Sequence, residues 1–186
     1  MKTQVIKSVM GFVMVLALSV PSYAQLTYLR NIEVNDFKEI RVSLDTEVII
    51  LKSKRNNVTL VGDSSFVYSM PVNDNDDVLT FTYNAEPEGK LKQVLIEYKD
   101  IDRVVTGGTG NYYFHKVDAE RLDIFNPTAN VYLNGNSDKI RVISQDGLTD
   151  ITALKSKQGI MRIGEAAKLI APEDMEFISS PQTTLR

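Results

Sequence analysis

The chain has 186 residues, with 21 Lys and Arg against 24 Asp and Glu, and it has no Cys. That length suits one domain with a core of its own, and the missing Cys excludes disulfides and thiolate metal sites. A formal charge of −3 makes nucleic acid or anionic lipid a poor match, since Lys and Arg must meet phosphate there.

Residues 1–24 have the three parts of a secretory signal peptide. Lys2 and Lys7 supply the positive start, Val9 to Val20 the apolar core, and Ser22-Tyr23-Ala24 small residues at −3 and −1 of a cut before Gln25. The core is shorter than the roughly 20 residues that span a bilayer. Lys2 and Lys7 are the only charged residues before Gln25, so the chain from Gln25 onward carries −5. The expectation is an exported protein: residues 1–24 removed, residues 25–186 a single domain, and no membrane span in the mature chain. Its location would be the periplasm, the outer-membrane surface or the extracellular space.

From Phe37 to Tyr98 the pattern predicts strands in hairpin-like succession. Ile40 to Leu44 alternates with period two, the mark of a half-buried strand. Glu47 to Lys52 is apolar on both sides, with Asp45 suited to a tight turn before it. Val58 to Val61 follows, then Phe66 to Met70 as a further strand. Asn73 to Asp77 reads as a turn, since Asn and Asp accept left-handed backbone. Val78 to Tyr83 alternates again. Pro87 to Lys90 turns the chain into Leu91 to Tyr98, with Val94, Ile96 and Tyr98 on one face.

After Ile101 the segments shorten and repeat. The leading apolar residues Val104, Leu122, Ile140, Ile160 and Phe177 recur at about 18 residues, with small or turn-rich corners between them. A period this short suits one rung of a β-solenoid, whose inward faces are buried only by stacking. Evenly spaced strands also fit an antiparallel β-sandwich. The predicted class is all-β: a right-handed β-helix or solenoid-like C-terminal part behind a set of β-hairpin-like strands, with the sandwich as the alternative. Helix signals are short, one turn each at Val117–Arg121 and Glu165–Leu169.

Chemistry-bearing motifs are few. His115 is the sole histidine, which removes most zinc sites and the usual triads. Tyr112, Tyr113 and His115 are the candidate binding residues, an aromatic ledge for a glycan or peptide. The competing reading has alternate residues of this strand packing inward while Tyr113 and His115 face out. Gly107-Gly108-Thr109-Gly110 is not a phosphate loop, because a strand rather than a helix follows it; it suits a corner. Asn73–Asp77 lacks the Gly and distal Glu of a calcium loop. Lys52–Arg55 reads as solvated turn charges. Carboxylate pairs for glycosidase chemistry are set by three-dimensional separation rather than spacing, and Glu86, Glu88, Glu97 and Asp123 are unremarkable in their sequence surroundings; Asn57-Val58-Thr59 is formally a glycosylation sequon. No catalytic residue, metal ligand or cofactor is expected.

Phe37-Lys38-Glu39-Ile40-Arg41-Val42, Glu47 to Leu51, and Asn57-Val58-Thr59-Leu60-Val61-Gly62-Asp63 together resemble the opening of the head GIN domain family, the auto-transporter adhesin type. Val94 to Tyr98 leading into Ile101–Gly110 resembles that family's strand before its first glycine-rich corner. Only residues 107–110 keep that corner; Asn126–Asn130 and Gln145–Thr149 do not. The resemblance implies a β-helical, non-enzymatic protein of a Bacteroidetes-type envelope. The expected role is adhesin-like, toward a glycan or an envelope protein. The alternatives are a carbohydrate-active enzyme on a β-helix and a structural or signalling accessory of an envelope complex.

Overall fold

The computed structural model describes residues 26–81 and 89–179. The predicted signal peptide, the predicted strand end at Thr82-Tyr83, Glu86 and the Pro87-Glu88 half of the predicted turn lie outside these residues. The described chain forms β1 (Tyr28–Glu33), β2 (Glu39–Ser43), β3 (Glu47–Lys52), β4 (Asn57–Gly62), α1 (Ser64–Ser69), β5 (Val72–Asn75) and β6 (Val78–Phe81). It continues through β7 (Leu91–Tyr98), β8 (Arg103–Gly107), β9 (Asn111–Asn126), β10 (Asn130–Ser144), β11 (Leu148–Ile163), β12 (Lys168–Ile170) and β13 (Phe177–Ser179). Among the described residues the fold is all-β apart from one short helix, and the strands join in a single curled sheet.

The long strands explain the curl. The first part of β9, Asn111–His115, pairs with β3, while Arg103 to Val105 of β8 pair with its far end, Asp123–Phe125. The strand bends at Lys116, whose φ is +56°, and so passes from one face of the molecule to another. β10 and β11 repeat this path, each parallel to the one before along nearly its full length. From β8 onward every ladder is parallel, which is not the zigzag pairing of an antiparallel sandwich.

Stacking aligns inward side chains in columns. Leu79, Ile40, Val104, Ile124 and Val142 are successive partners across one face, each at most 2% exposed. Leu60, Val94, Val48, Tyr112 and Val131 form the column of the other face. Burying each such aliphatic side chain contributes about 1.5–3 kcal/mol, so the column and not the single strand is the stable unit.

Four expectations change. β2, β3 and β4 are not in hairpin succession: β2 lies between β6 and β8 and β3 between β7 and β9, all parallel, while β4 runs antiparallel to β1 and β7. Alternation fixes which side of a strand faces in but says nothing about its partner. Asp45 therefore marks a corner. Among the described residues the one hairpin between consecutive strands is β5–β6, whose turn is only Asp76-Asp77, at φ +54° and +61°; both residues are left-handed, as a two-residue turn of this kind requires.

Phe66–Met70 is not a strand; α1 occupies Ser64–Ser69. The buried residues Val67 and Met70 are three apart, a helical spacing. So short a helix is marginal alone, and Arg30 Nη1 holds its end by donating to the carbonyls of Val67, Tyr68 and Met70 at 3.2–3.3 Å. The two predicted helical turns are absent as well: Val117–Arg121 belongs to β9, and Glu165–Leu169 is a turn leading into β12.

The repeat is about 18 residues as expected, but its alignment shifts. The true register is Leu122, Ile140, Gly159, Phe177, and Val104 faces Ile124. Ile160 pairs with Arg141 and is 37% exposed. A slip of one residue exchanges the inner and outer face, so matching Ile160 to Ile140 by type alone put it on the wrong side.

Tyr98 ends β7 with its ring 1% exposed. Burial pushes its phenol well above the usual range, and its hydroxyl has no hydrogen-bond partner among the described residues. Lys52 Nζ sits 5.8 Å over the ring, a contact that phenylalanine keeps. An unpaired buried hydroxyl costs on the order of 1 kcal/mol. Tyr98→Phe is expected to raise the thermal midpoint by a few degrees; a fall in calorimetry would show that the hydroxyl is held.

Candidate interaction face

Alternation in β9 sends Tyr112 and Phe114 inward and Tyr113 and His115 outward. Tyr112 is fully buried. Its hydroxyl accepts from Leu44 N at 2.9 Å and donates to Gly107 O at 2.7 Å, and burial pushes the phenol up to about 12. It ties two corners together and takes no part in a surface. Gly108 sits in that corner with φ +72°, beside the carboxylate of Asp45. Asp45 Oδ1 accepts from Thr109 N at 2.6 Å and from its hydroxyl at 3.0 Å, bonds that hold this carboxyl below the usual range. The glycine-rich stretch is thus occupied by the chain's own corner.

Tyr113 and His115 meet a residue that sequence reading missed. Tyr132, in β10, is the direct ladder partner of Tyr113. Their rings stack at 5.0 Å and 14°, and the His115 ring lies nearly parallel to Tyr113 at 6.4 Å. Asn134 Nδ2 lies 3.2 Å from His115 Nδ1, while Asn134 Oδ1 accepts from Lys116 N at 3.0 Å. One amide thereby fixes both the imidazole and the left-handed bend after it. The amide nitrogen can only donate, so Nδ1 is the acceptor in this contact. The signal for Tyr132 was its place in the repeat: Tyr113 and Tyr132 occupy the same position in GNYYFH and ANVYLN.

With Asp150 and Thr152 these side chains border a shallow depression of about 240 Å³, floored by Phe114 and Leu133. That is smaller than the roughly 300–1,000 Å³ of pockets that engulf a ligand. The geometry offers ring edges and amides on a rigid sheet.

The other candidates are absorbed by structure. Glu97 is bound by Arg55 at 2.8 Å, with Ser53 and Asn57 alongside, and these partners hold its carboxyl below the usual range. Asp123 accepts from Arg121 and Arg141 on the other broad face. Glu86 and Glu88 lie outside the described residues. Of the basic turn, Lys52 reaches Asp118 O at 3.2 Å and Arg55 is the partner of Glu97. Asn57, the sequon asparagine, is buried with its amide donating to Glu97 Oε2 at 3.2 Å. In the acidic run, Asp74 Oδ2 accepts from Asn35 N at 2.6 Å. Among the described residues no three His, Cys, Asp or Glu gather as metal ligands, and no helix is long and apolar enough to cross a membrane.

The sequence profile of the family described as "Putative auto-transporter adhesin, head GIN domain" matches residues 36–168. No curated protein matches the sequence. Among solved structures the fold is similar to a "putative adhesin" from Parabacteroides merdae, at 14% identity and a TM-score of 0.65 over 79% of this chain and 73% of that one. A "putative adhesin" from Bacteroides fragilis is similar at 13% identity and a TM-score of 0.61, over 80% and 79%. A "putative lipid binding protein" from Parabacteroides distasonis is similar at 15% identity and a TM-score of 0.66, over 80% and 68%. At these identities the likeness is one of fold.

Proposed function

The chain belongs to the head GIN domain family, and on that premise we propose that it is an exported, non-catalytic, adhesin-like domain of the cell envelope that holds a glycan or protein partner on the outer face of a right-handed, solenoid-like coil. Residues 1–24 act as its signal peptide and residues 25–186 as one domain. Parallel ladders offset by 18–20 residues support the coil, and right-handed crossovers are the rule for parallel strands.

The observation that carries the binding role is the outward Tyr113–Tyr132 stack beside His115 and Asn134. Aromatic rings on a rigid, hydrogen-bonded sheet lose little entropy when they contact a partner. Their exposed edges sit next to amide and carboxylate groups that can orient hydroxyls. The depression is too shallow to isolate a reaction from water, and Glu97 and Asp123 are already engaged in ion pairs.

Protein recovered from the envelope, with its N-terminus expected at Gln25, would be assayed against a panel of purified cell-wall and capsular polysaccharides and envelope proteins. Tyr113→Ala with Tyr132→Ala is expected to weaken the best binder by roughly tenfold or more, the scale of interface aromatics, with an unchanged circular dichroism spectrum. Equal binding by the double variant would overturn the assignment of this face.

A further inference from the structure

The outer side of the β2–β8–β9–β10–β11 face carries a charge pattern opposite to that of the chain as a whole. Its outward positions follow from the ladder registers. Arg121 faces Lys139; Glu39, Arg103, Asp123 and Arg141 run in one line; Arg41 and Arg162 end the next line, with Val105, Phe125 and Ile143 between them. Six cations thus stand against two carboxylates, in a chain whose formal charge is −3. Asp102 at the rim adds a negative field at Arg121.

The carboxylates are also recessed. The side chains of Glu39 and Asp123 are 15% and 14% exposed, whereas those of Arg103, Arg121 and Arg141 are 52%, 61% and 42% exposed. Asp123 accepts from both Arg121 and Arg141, so it orients two guanidiniums at a depression of about 180 Å³ bordered by Lys139, Gln158 and Ile160. No ion pair or side-chain hydrogen bond engages Lys139 Nζ among the described residues. Adjacent strands repeat at about 4.8 Å, which places Arg121 and Lys139 one step apart and Arg103 and Arg141 two steps apart. That spacing is of the order of one or two sugar units.

We propose that this face is a second binding surface, for an acidic polysaccharide with regularly spaced carboxylates. It rests on the adhesin-like reading and names the substrate class for a different face. A uronate chain lying along the stack matches the cations one step after another, and its C–H faces meet the half-buried strip of Val105, Phe125 and Ile143. An anionic membrane fits less well, because that strip lies low between longer Arg side chains and offers no projecting apolar anchor. Nucleic acid fits less well because the remainder of the chain from Gln25 onward, about −9 once the +4 of this face is set aside, repels so dense a polyanion.

The probe is polygalacturonate, with dextran as the neutral control, tested by calorimetry on the exported protein at two salt concentrations. Affinity is expected for polygalacturonate alone, falling as salt rises. Arg103→Gln with Lys139→Gln should weaken it roughly tenfold, the scale of two charge contacts. Lys155→Gln with Lys168→Gln, which removes the same charge elsewhere, should change it less than about twofold by the same reckoning. Both Gln pairs leave the Asp123 ion pairs in place, and circular dichroism checks their folding. Equal loss in the two double variants, no binding of polygalacturonate, or tighter binding of anionic vesicles or duplex DNA would overturn the proposal. If polygalacturonate fails while the Tyr113–Tyr132 face still binds a partner, this inference alone falls; if nothing binds either face, both fall.

Discussion

Gly135→Ala is expected to lower the thermal midpoint by about 10 °C, a loss of roughly 3–5 kcal/mol in a domain of this size. Gly135 has φ +129°, a region that L side chains rarely enter. It faces Val117 of β9 on one side and Leu154 of β11 on the other. A Cβ built there lies 2.3 Å from Val117 O and 2.4 Å from Val117 N. Those atoms are backbone, so no rotamer change relieves the contact, and β9 and β10 must separate where the ladder already shifts register after Leu133. Gly107→Ala is the comparison. Its Cβ meets the Ser43 hydroxyl at 2.7 Å, the movable end of a side chain, and its φ is not positive. It should cost under about 1 kcal/mol. Equal losses for the two substitutions, measured by thermal and urea unfolding, would refute this account.

The same residue shows where sequence reading reaches and where it stops. Alternation is local, and the strand Leu91–Tyr98 with Val94, Ile96 and Tyr98 inward was legible to the residue. So was the outward direction of Tyr113 and His115, because one strand determines it. Whatever depends on a partner was not legible. The stack of Tyr113 on Tyr132 needs the register between β9 and β10, and that register shifts where β9, at His115-Lys116, and β11, at Ile151-Thr152, each carry one residue more than β10. The slip at Ile160 has the same origin. α1 was hidden for another reason: six residues rich in Ser and aromatics have no helical preference of their own, and Arg30, far back in the chain, supplies their carbonyls with a donor. The basic face was invisible for a third reason. Its cations come from five different strands, and the summed charge of the chain has the opposite sign.

Asn126→Ala is expected to cost about 3 kcal/mol or more, because several buried groups lose their partner together. The sequence places Asn126 at the start of a turn-rich corner, yet it is fully buried. Its Oδ1 accepts from Ala129 N at 2.9 Å and Thr106 Oγ1 at 3.0 Å, and its Nδ2 donates to Ala129 O at 2.9 Å and to Leu148 O and Thr149 Oγ1 at 3.1 Å. One amide closes its own corner and fastens it to β8 on one side and β11 on the other. Asn126→Leu, which fills the space without the bonds, should be no better than Ala; rescue by Leu would show that packing, not hydrogen bonding, is what matters there. Asn126→Asp gives a sharper readout. It keeps both acceptor contacts but turns a carboxylate toward the Ala129 and Leu148 carbonyls, at a fully buried position. Burial and those carbonyls raise its folded pKa above the roughly 3.9 of the unfolded chain. The unfolded state then gives up the proton first as pH rises, so the variant is closest to the parent below about pH 4 and its deficit grows upward until the folded pKa is passed. The parent's own carboxylates, Asp45, Glu97 and Asp100, are shifted down and lose stability in the opposite direction, as pH falls; being common to both proteins, they cancel in the difference. A deficit independent of pH between about 4 and 8 would mean that water reaches Asn126.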